Sequence, residues 1–487
     1  MAEPAGTVHV TQFVSGKFQI VHLIVENRIK EPTSDRYTKE QKMKKCMPRI
    51  LVLAIALVCQ FAVAQGPPPA STGGPPLKTT FVRLQGMANA VLVEPETPNA
   101  KSHIAVLITH PEHANNFNYF IGMELPKYGY RAMMLNYYGK EQTYYEFIQP
   151  IAAAIKALHA IPGVDKVVLA GHSSGGAELS SYQDVAENGP AACQGADRVY
   201  KCQTKGLDNL PKADGMMLLD ANTGAPDKTM ALNPAVDEFH PRQVDPALDM
   251  YNPVNGYDPA THSATYSQEF LNKFFAAQGA KANRVIDEAL DRLAKIDKGD
   301  GEYKDDEPFV VAGSGINASG ARIELADIRL MNRTHAPHPL LKADGTKVVQ
   351  VISRTITPEA TPYGDLLSQT TQDVTVRHYL SFQAMPTTPD YRITEDNLLG
   401  VKWRATANSL QGNLEGIKAP TLIMAVTCNS ELVLLEISYE HSAAKDKEFV
   451  GVEGADHNFR PCRPEYGDTF KRSFDYIDNW LSKPGRF

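Results

Sequence analysis

The stretch Gly171-His172-Ser173-Ser174-Gly175 lies between a short apolar run and a segment that can continue as a helix. A strand, a sharp turn and a helix in this order are the setting in which Gly-x-Ser-x-Gly forms a nucleophile elbow. Such a turn lifts its central side chain clear of the sheet and needs small residues two positions before and after it. Gly171 and Gly175 meet that need, so Ser173 is a candidate nucleophile.

The composition indicates a globular protein. The 487 residues are 43% hydrophobic and 22% charged, which is enough to bury a large core in one or two domains. The formal net charge of -7 gives no basic footprint. We therefore expect neither a nucleic-acid partner nor attraction to an anionic membrane surface.

Residues 43–64 have the pattern of a secretory signal peptide. Positive charge precedes an apolar run at 50–58, which is too short to span a bilayer, and Ala-Val-Ala at 62–64 is a small-residue cleavage site. We expect a product that is secreted or periplasmic and has no stable membrane anchor. Residues 1–42 precede this signal and are interpreted as an upstream extension, with translation starting at Met43.

Export to an oxidising compartment suggests that the remaining cysteines form disulfides. Cleavage of the signal leaves four, an even number, and they can pair in three ways. We favour Cys193 with Cys202, which closes a short local loop, and Cys428 with Cys462, because each of these two follows a predicted C-terminal strand. The sequence predicts no metal site, since no Cys-x-x-Cys or His-x-x-x-His pairing accompanies the cysteines.

Short apolar runs alternate with helical segments in two parts of the chain, residues 80–220 and 416–487, after a Pro/Gly/Ala tether at 65–79. This alternation predicts an α/β fold with a mostly parallel sheet and helices on both faces. Residues 221–415 interrupt the pattern and are too many for a structureless loop. We expect them to form a large cap or lid, inserted before the penultimate core strand, with one long helix at 267–296.

A histidine follows the last predicted strand, within Gly-Ala-Asp-His457. A serine at an elbow, then an acid, then a histidine after the final strand resembles the α/β-hydrolase superfamily. The resemblance covers about residues 80–220 and 416–484. It implies that Ser173 is the nucleophile, that His457 is the base that deprotonates it, and that a carboxylate orients the imidazole.

The acid is the point at which the sequence departs from this family. Asn429 stands after the penultimate strand, where an Asp is usual, and an amide holds no negative charge beside an imidazolium. Glu431, two residues further on, is our first choice. Asp220, after the preceding strand, is the alternative, and Asp456 ranks last because its side chain would have to turn back toward its neighbour His457.

The resemblance also implies an oxyanion hole. In this layout the loop after the strand at 104–108 supplies one backbone N–H, and the residue after the nucleophile supplies the other. The loop begins with His110-Pro111, and proline carries no N–H. The donors are therefore expected to be Glu112 and Ser174.

Together these assignments predict a serine hydrolase that cleaves a carboxylic ester through an acyl-enzyme intermediate and needs no cofactor. Serine at the elbow disfavours the dehalogenases and epoxide hydrolases of this fold, which use Asp there. The motif does not separate an ester from an amide, a peptide or a lactone. The expected cap suggests a small-molecule substrate that is bulky or apolar. A fold relative that binds a ligand without turnover remains the alternative while the acid is undecided.

Overall fold

The computed structural model describes residues 7–14, 17–24, 73–85, 87–110, 115–138, 143–240, 242–314, 321–362 and 371–487. The chain divides into two compact units, residues 1–64 and 65–487. In the first unit an antiparallel hairpin joins β1 (Thr7–Val14) to β2 (Lys17–Ile24). The signal peptide predicted at 43–64 lies outside the described residues, as do Glu112 and the start of the tether.

The second unit holds the strands and helices of the main fold. Its strands are β3 (Leu77–Leu84), β4 (Ala88–Pro95), β5 (Ile104–Ile108), β6 (Arg131–Tyr137), β7 (Lys166–Ser173), β8 (Gly215–Ala221), β9 (Tyr257–Asp258), β10 (Ser263–Ala264), β11 (Pro308–Ala312), β12 (His338–Leu341), β13 (Lys347–Gln350), β14 (Thr371–Thr375), β15 (Thr387–Ile393), β16 (Leu398–Val401), β17 (Thr421–Val426) and β18 (Lys447–Val452). Its helices are α1 (Phe120–Glu124), α2 (Ile148–His159), α3 (Gly175–Asn188), α4 (Ala225–Ala231), α5 (Gln268–Lys298), α6 (Ile323–Ala326), α7 (Val376–Phe382), α8 (Leu410–Leu414), α9 (Leu432–His441) and α10 (Thr469–Leu481).

One sheet dominates the described part of this unit. Its strand order is β13-β12-β18-β17-β8-β7-β5-β6-β4-β3. The strands from β6 to β18 in that order run parallel, and so does β12, whereas β3, β4 and β13 are antiparallel additions at the two edges. Because parallel strands point the same way, their carboxyl ends share one edge of the sheet, where ligands bind in folds of this class.

Helices cover both faces of the sheet, as the side chains of β7 show. Val167 and Leu169 pack in the same core cluster as residues of α2 and α3, whereas Val168 and Ala170 pack in the cluster that includes α1 and α10. Strands buried on both faces are continuously apolar, which is why these runs do not alternate with polar residues. The predicted α/β fold, a mostly parallel sheet with helices on both faces, is confirmed.

The insertion between β8 and β17 contains the long helix that the sequence predicted. The helix α5 begins after Ser267, whose side chain accepts from the backbone N–H of Phe270, and ends at Gly299 in a left-handed conformation. Apolar residues of α5, including Phe274, pack in clusters formed largely by the insertion itself. Among the described helices, none combines the length and the apolarity that crossing a bilayer would require.

Part of the insertion joins the central sheet. The strand β12 pairs parallel with β18, with Leu340 opposite Gly451 and Leu341 opposite Val452, and β13 pairs with the outer side of β12. The sequence analysis assigned all of residues 221–415 to an inserted cap. In the structure a hairpin from this segment extends the central sheet next to the last core strand.

Candidate active site

Ser173 occupies a strained turn at the carboxyl end of β7. Its φ of 52° lies in the left-handed region, which is costly for a residue other than glycine. The turn is possible because the backbone around it is packed very closely. A Cβ on Gly171 would lie 2.6 Å from Cα of Gly176, and one on Gly175 would lie 2.4 Å from the carbonyl oxygen of Thr109. The two glycines of the motif are therefore required by contacts between strand, turn and helix.

His457 lies in a hydrogen-bonded pair with a buried carboxylate. Its Nδ1 is 2.7 Å from Oδ2 of Asp220, whose side chain is completely buried. The carboxylate also accepts from Nδ2 of Asn429 at 2.6 Å and from the backbone N–H of Val426 at 3.3 Å. A carboxylate on Nδ1 holds the imidazole in the tautomer whose Nε2 is free to accept a proton.

Asp220 faces the histidine because β8 is irregular where it passes β7. The pairing places His172 opposite Leu219 and then Ser173 opposite Ala221, so Asp220 is an extra residue in the strand. Its φ of 43° is also left-handed. A bulge of this kind changes the direction of a side chain. Here it turns the carboxylate toward the loop that follows β18.

The chain matches no protein-family model and no curated protein sequence. Among solved structures it is similar to a hypothetical protein from Pseudomonas aeruginosa, at 12% identity over 85% of this chain and 95% of that chain, with a TM-score of 0.40. It is also similar to a bacterial brefeldin A esterase, at 10% identity over 85% and 78% of the two chains, with a TM-score of 0.37. A proline iminopeptidase from Mycobacterium smegmatis aligns at 12% identity over 82% and 99%, with a TM-score of 0.34.

Identities and scores of this size assign no activity to this chain. Its fold is evident from its own parallel strand order, from the elbow at the end of β7 and from the position of His457 after β18. This is the α/β-hydrolase fold. In that fold the carboxyl edge of the sheet carries the site. Ser173 is the last residue of β7, Asp220 is the last but one of β8, and His457 follows β18.

Glu431, our first choice for the acid, lies in different surroundings from those expected of a triad acid. It directly precedes α9, is buried, and its Oε1 accepts from Oγ of Ser430 at 3.3 Å. Burial, together with the nearby carboxylate of Asp227, raises the pKa of Glu431 well above its usual range. A raised pKa favours the protonated form of a carboxyl group, and that form provides no charge for an imidazolium. The geometry therefore favours the alternative, Asp220, over Glu431.

Asp456, the candidate ranked last, holds the backbone of the histidine loop. Its Oδ1 accepts from the backbone N–H of Asn458 at 2.9 Å and from that of Arg460 at 2.8 Å. These bonds close the turn that presents His457. The carboxylate next to the histidine in sequence thus shapes the loop, while the carboxylate distant in sequence contacts the ring.

Both disulfides that the sequence favoured are present in the structure, Cys193–Cys202 and Cys428–Cys462. The second one joins the loop after β17, which carries Asn429, to the loop after β18. It thus connects the two loops whose side chains, Asn429 and His457, contact the carboxylate of Asp220.

Asn222 is a residue of the site that the sequence analysis missed. The hydroxyl of Ser173 donates to Oδ1 of Asn222 at 3.0 Å, and the backbone N–H of Asn222 donates to the carbonyl of Ser173 at 2.9 Å. The only signal available was its place directly after β8, beside Asp220, and a single asparagine in a loop is too common to be informative.

Half of the expected oxyanion hole falls within the described residues. Ser174 directly precedes the first residue of α3, where a backbone N–H has no acceptor inside the helix. Glu112, the other expected donor, lies outside the described residues, so its role stays a prediction. Within the described ranges no group of three or more His, Cys, Asp or Glu side chains is arranged to hold a metal ion.

Proposed function

We propose that this protein is a serine hydrolase that cleaves carboxylic esters, with Ser173 as nucleophile, His457 as base and Asp220 as the acid of the triad. One observation carries the proposal: Nδ1 of His457 lies 2.7 Å from Oδ2 of a buried Asp220, at the sheet edge where a serine is held at a φ of 52°. Serine, imidazole and carboxylate in these roles are sufficient for acyl transfer without a cofactor.

The reaction begins with a rotation of the Ser173 side chain. Its hydroxyl donates to Asn222 in the resting structure, so it must turn to Nε2 of His457 before attack. As the imidazole takes the proton, Oγ bonds to the ester carbonyl carbon, and the carbonyl oxygen becomes an oxyanion. The backbone N–H groups of Ser174 and Glu112 are the proposed donors to it.

The second half of the reaction regenerates the enzyme. Protonated His457 gives its proton to the leaving alcohol, which leaves an acyl group on Ser173. Water then attacks the acyl carbon, His457 takes a proton from that water, and the carboxylic acid departs as Oγ recovers its proton. Asp220 remains ionised throughout and stabilises the imidazolium that forms twice in each cycle.

The substrate that we propose is a small-molecule ester, bulky or apolar enough to use the inserted segment as part of its binding site. A secreted or periplasmic location agrees with the two disulfide bonds, since such bonds persist in oxidising compartments. An amide, a peptide or a lactone would react through the same intermediates, so the reaction class needs a direct test.

The test uses a series of p-nitrophenyl esters of increasing acyl length, together with a peptide p-nitroanilide and a chromogenic lactone. We expect a burst of nitrophenol equal to the enzyme present, followed by steady turnover, and labelling of Ser173 by a fluorophosphonate. Ser173→Ala should abolish both. Ser482→Ala is the matched control, because Ser482 is exposed and follows α10. Turnover of the amide or lactone alone would change the reaction class.

A second candidate function is ligand binding without turnover. One observation favours it: the Ser173 hydroxyl donates to Asn222, not to the histidine. A binding protein would give no burst and no fluorophosphonate adduct, and its Ser173→Ala variant would keep its affinity for the ligand. A Ser173 adduct would exclude this candidate.

A further inference from the structure

His172, the variable residue of the elbow motif, lies between Tyr119 and His457. Its side chain is buried, with 2% of the residue exposed. Nε2 of His172 is 2.7 Å from the backbone carbonyl oxygen of His457, and Nδ1 is 2.5 Å from the hydroxyl of Tyr119. A carbonyl only accepts hydrogen bonds, so Nε2 carries the proton and donates, while Nδ1 accepts from the tyrosine. The two contacts thus define one tautomer.

Aromatic rings fix the orientation of His172. Its ring centroid is 4.5 Å from that of His457, and Phe120 meets it edge to face at 5.1 Å with an interplanar angle of 86°. The ring of Phe459, two residues after His457 and fully buried, lies 6.0 Å away. The imidazole of His172 is therefore held by packing on several sides as well as by its hydrogen bonds.

We infer that His172 is a positioning residue for His457, and this inference rests on the proposed function for its effect on catalysis. Ser173 follows His172 directly in the chain. A hydrogen bond from His172 to the carbonyl of His457 therefore links the nucleophile and the base through one side chain. Tyr119 supports the link because its hydroxyl keeps the donor on the correct nitrogen of His172.

The other bonds that hold this loop act on atoms other than the carbonyl oxygen of His457. The carboxylate of Asp456 fixes the backbone N–H groups of Asn458 and Arg460, and the disulfide fixes position 462. These constraints act on the part of the loop that follows His457. His172 acts on the carbonyl of His457 itself, so its loss lets the imidazole drift relative to Ser173 and Asp220.

Two substitutions separate the hydrogen bond from the packing. His172→Gln keeps an N–H donor at nearly the same distance from the backbone, whereas His172→Phe keeps an aromatic ring and removes the donor. We expect His172→Phe to lower kcat for a p-nitrophenyl ester by about 10- to 100-fold, the cost of a small misplacement of a catalytic group. KM should stay within about threefold, because ground-state binding is not involved. His172→Gln should recover most of kcat.

Tyr119→Phe is a milder test that keeps the ring and removes only the hydroxyl. We expect a decrease in kcat in the same direction and smaller than that of His172→Phe. If His172→Phe does not fold, as judged by its melting temperature, the comparison of Tyr119→Phe with the wild type takes its place. A folded His172→Phe variant with the kcat of the wild type would overturn the inference. If only Tyr119→Phe folds, a kcat equal to that of the wild type in this variant would overturn it.

Crystal structures of the same variants give a readout that does not depend on turnover. We expect His457 to keep its 2.7 Å contact with Asp220 in His172→Gln, and we expect the ring to be displaced and this contact to lengthen in His172→Phe. An unmoved His457 in both variants would overturn the positioning role, whatever the kinetics. Absence of Ser173-dependent turnover in the wild type would instead overturn the proposed function, while these structures would still decide the role of His172.

Discussion

Replacing Asp220 by Asn removes the negative charge that faces His457 and leaves the side chain almost the same size. The carboxylate accepts from Nδ1 of His457, Nδ2 of Asn429 and the N–H of Val426. An amide has one oxygen and an NH2 group, so at least one of these donors would face another donor. The imidazole is then favoured in the wrong tautomer, with its proton on Nε2.

The expected effect is large because the Asp220 side chain is completely buried. Loss of the charge and of the tautomer at a triad acid lowers kcat by about 10⁴-fold. At 1.36 kcal/mol per tenfold, this is about 5 kcal/mol of transition-state stabilisation. Binding of the ester should change little, since the carboxylate faces the histidine and is covered from solvent.

Glu431→Gln is the matched control, because Glu431 is the other candidate acid. Burial raises the pKa of Glu431 well above its usual range. Its Oε1 accepts from Oγ of Ser430, and a glutamine of the same size can keep this contact. We expect its kcat to stay within about threefold of the wild type, the size of an effect transmitted without loss of a catalytic group. The assay is the initial rate at saturating p-nitrophenyl ester, together with the rate of fluorophosphonate labelling.

Two results would refute the reasoning. The first is an Asp220→Asn variant that keeps kcat within about tenfold of the wild type. Its loss of transition-state stabilisation would then be below about 1.4 kcal/mol, where about 5 kcal/mol is expected. The second is a Glu431→Gln variant that loses as much activity as Asp220→Asn at an unchanged melting temperature. Either result would return the role of the acid to Glu431 or to a group outside the described residues.

Three further predictions follow from the contacts at the site. Replacing Cys428 and Cys462 by Ser should lower kcat, and it should lower the free energy of unfolding by about 4 kcal/mol, given the separation of 34 residues. The control replaces Cys193 and Cys202, which are separated by 9 residues, with Ser. This change should lower the free energy of unfolding by about 3 kcal/mol and leave kcat unchanged. Gly175→Ala should destabilise the protein by about 1–3 kcal/mol and reduce fluorophosphonate labelling, because its Cβ would lie 2.4 Å from the carbonyl of Thr109. Glu431→Gln should also change the dependence of stability on pH: the folded protein holds the Glu431 proton more tightly than the unfolded chain, so wild-type stability falls as pH rises from about 4.5 through the raised pKa. The stability of the variant should not show this decline. A melting-temperature difference between the two proteins that stays constant as the pH rises would contradict the assignment.

The elbow could be predicted from the sequence because its requirements appear at a fixed spacing around Ser173. Gly171 is needed by its contact with Gly176 in the same turn, and Gly175 by its contact with the carbonyl of Thr109. The helix α5 was predictable for a similar reason, since its apolar residues recur at helical spacing and Ser267 caps its start. Its observed bounds, Gln268–Lys298, lie within two residues of the prediction.

The choice of acid could not be made from the sequence. It depends on a bulge in β8 at Asp220, and on the way that three loops from β8, β17 and β18 meet. Each of these is a long-range property that the local pattern does not encode. The hydrogen bond between Ser173 and Asn222 was missed for the same reason, because it depends on how β7 and β8 end side by side.

The hairpin of β12 and β13 makes the inserted segment part of the margin of the sheet. Leu340 and Leu341 supply the backbone partners of β18, the strand that leads to His457. Excising the whole insertion, or exchanging it for that of another hydrolase, would strip these partners and leave a bare strand edge open to association with other chains. An exchange of the insertion would therefore have to retain residues 338–350 of this chain.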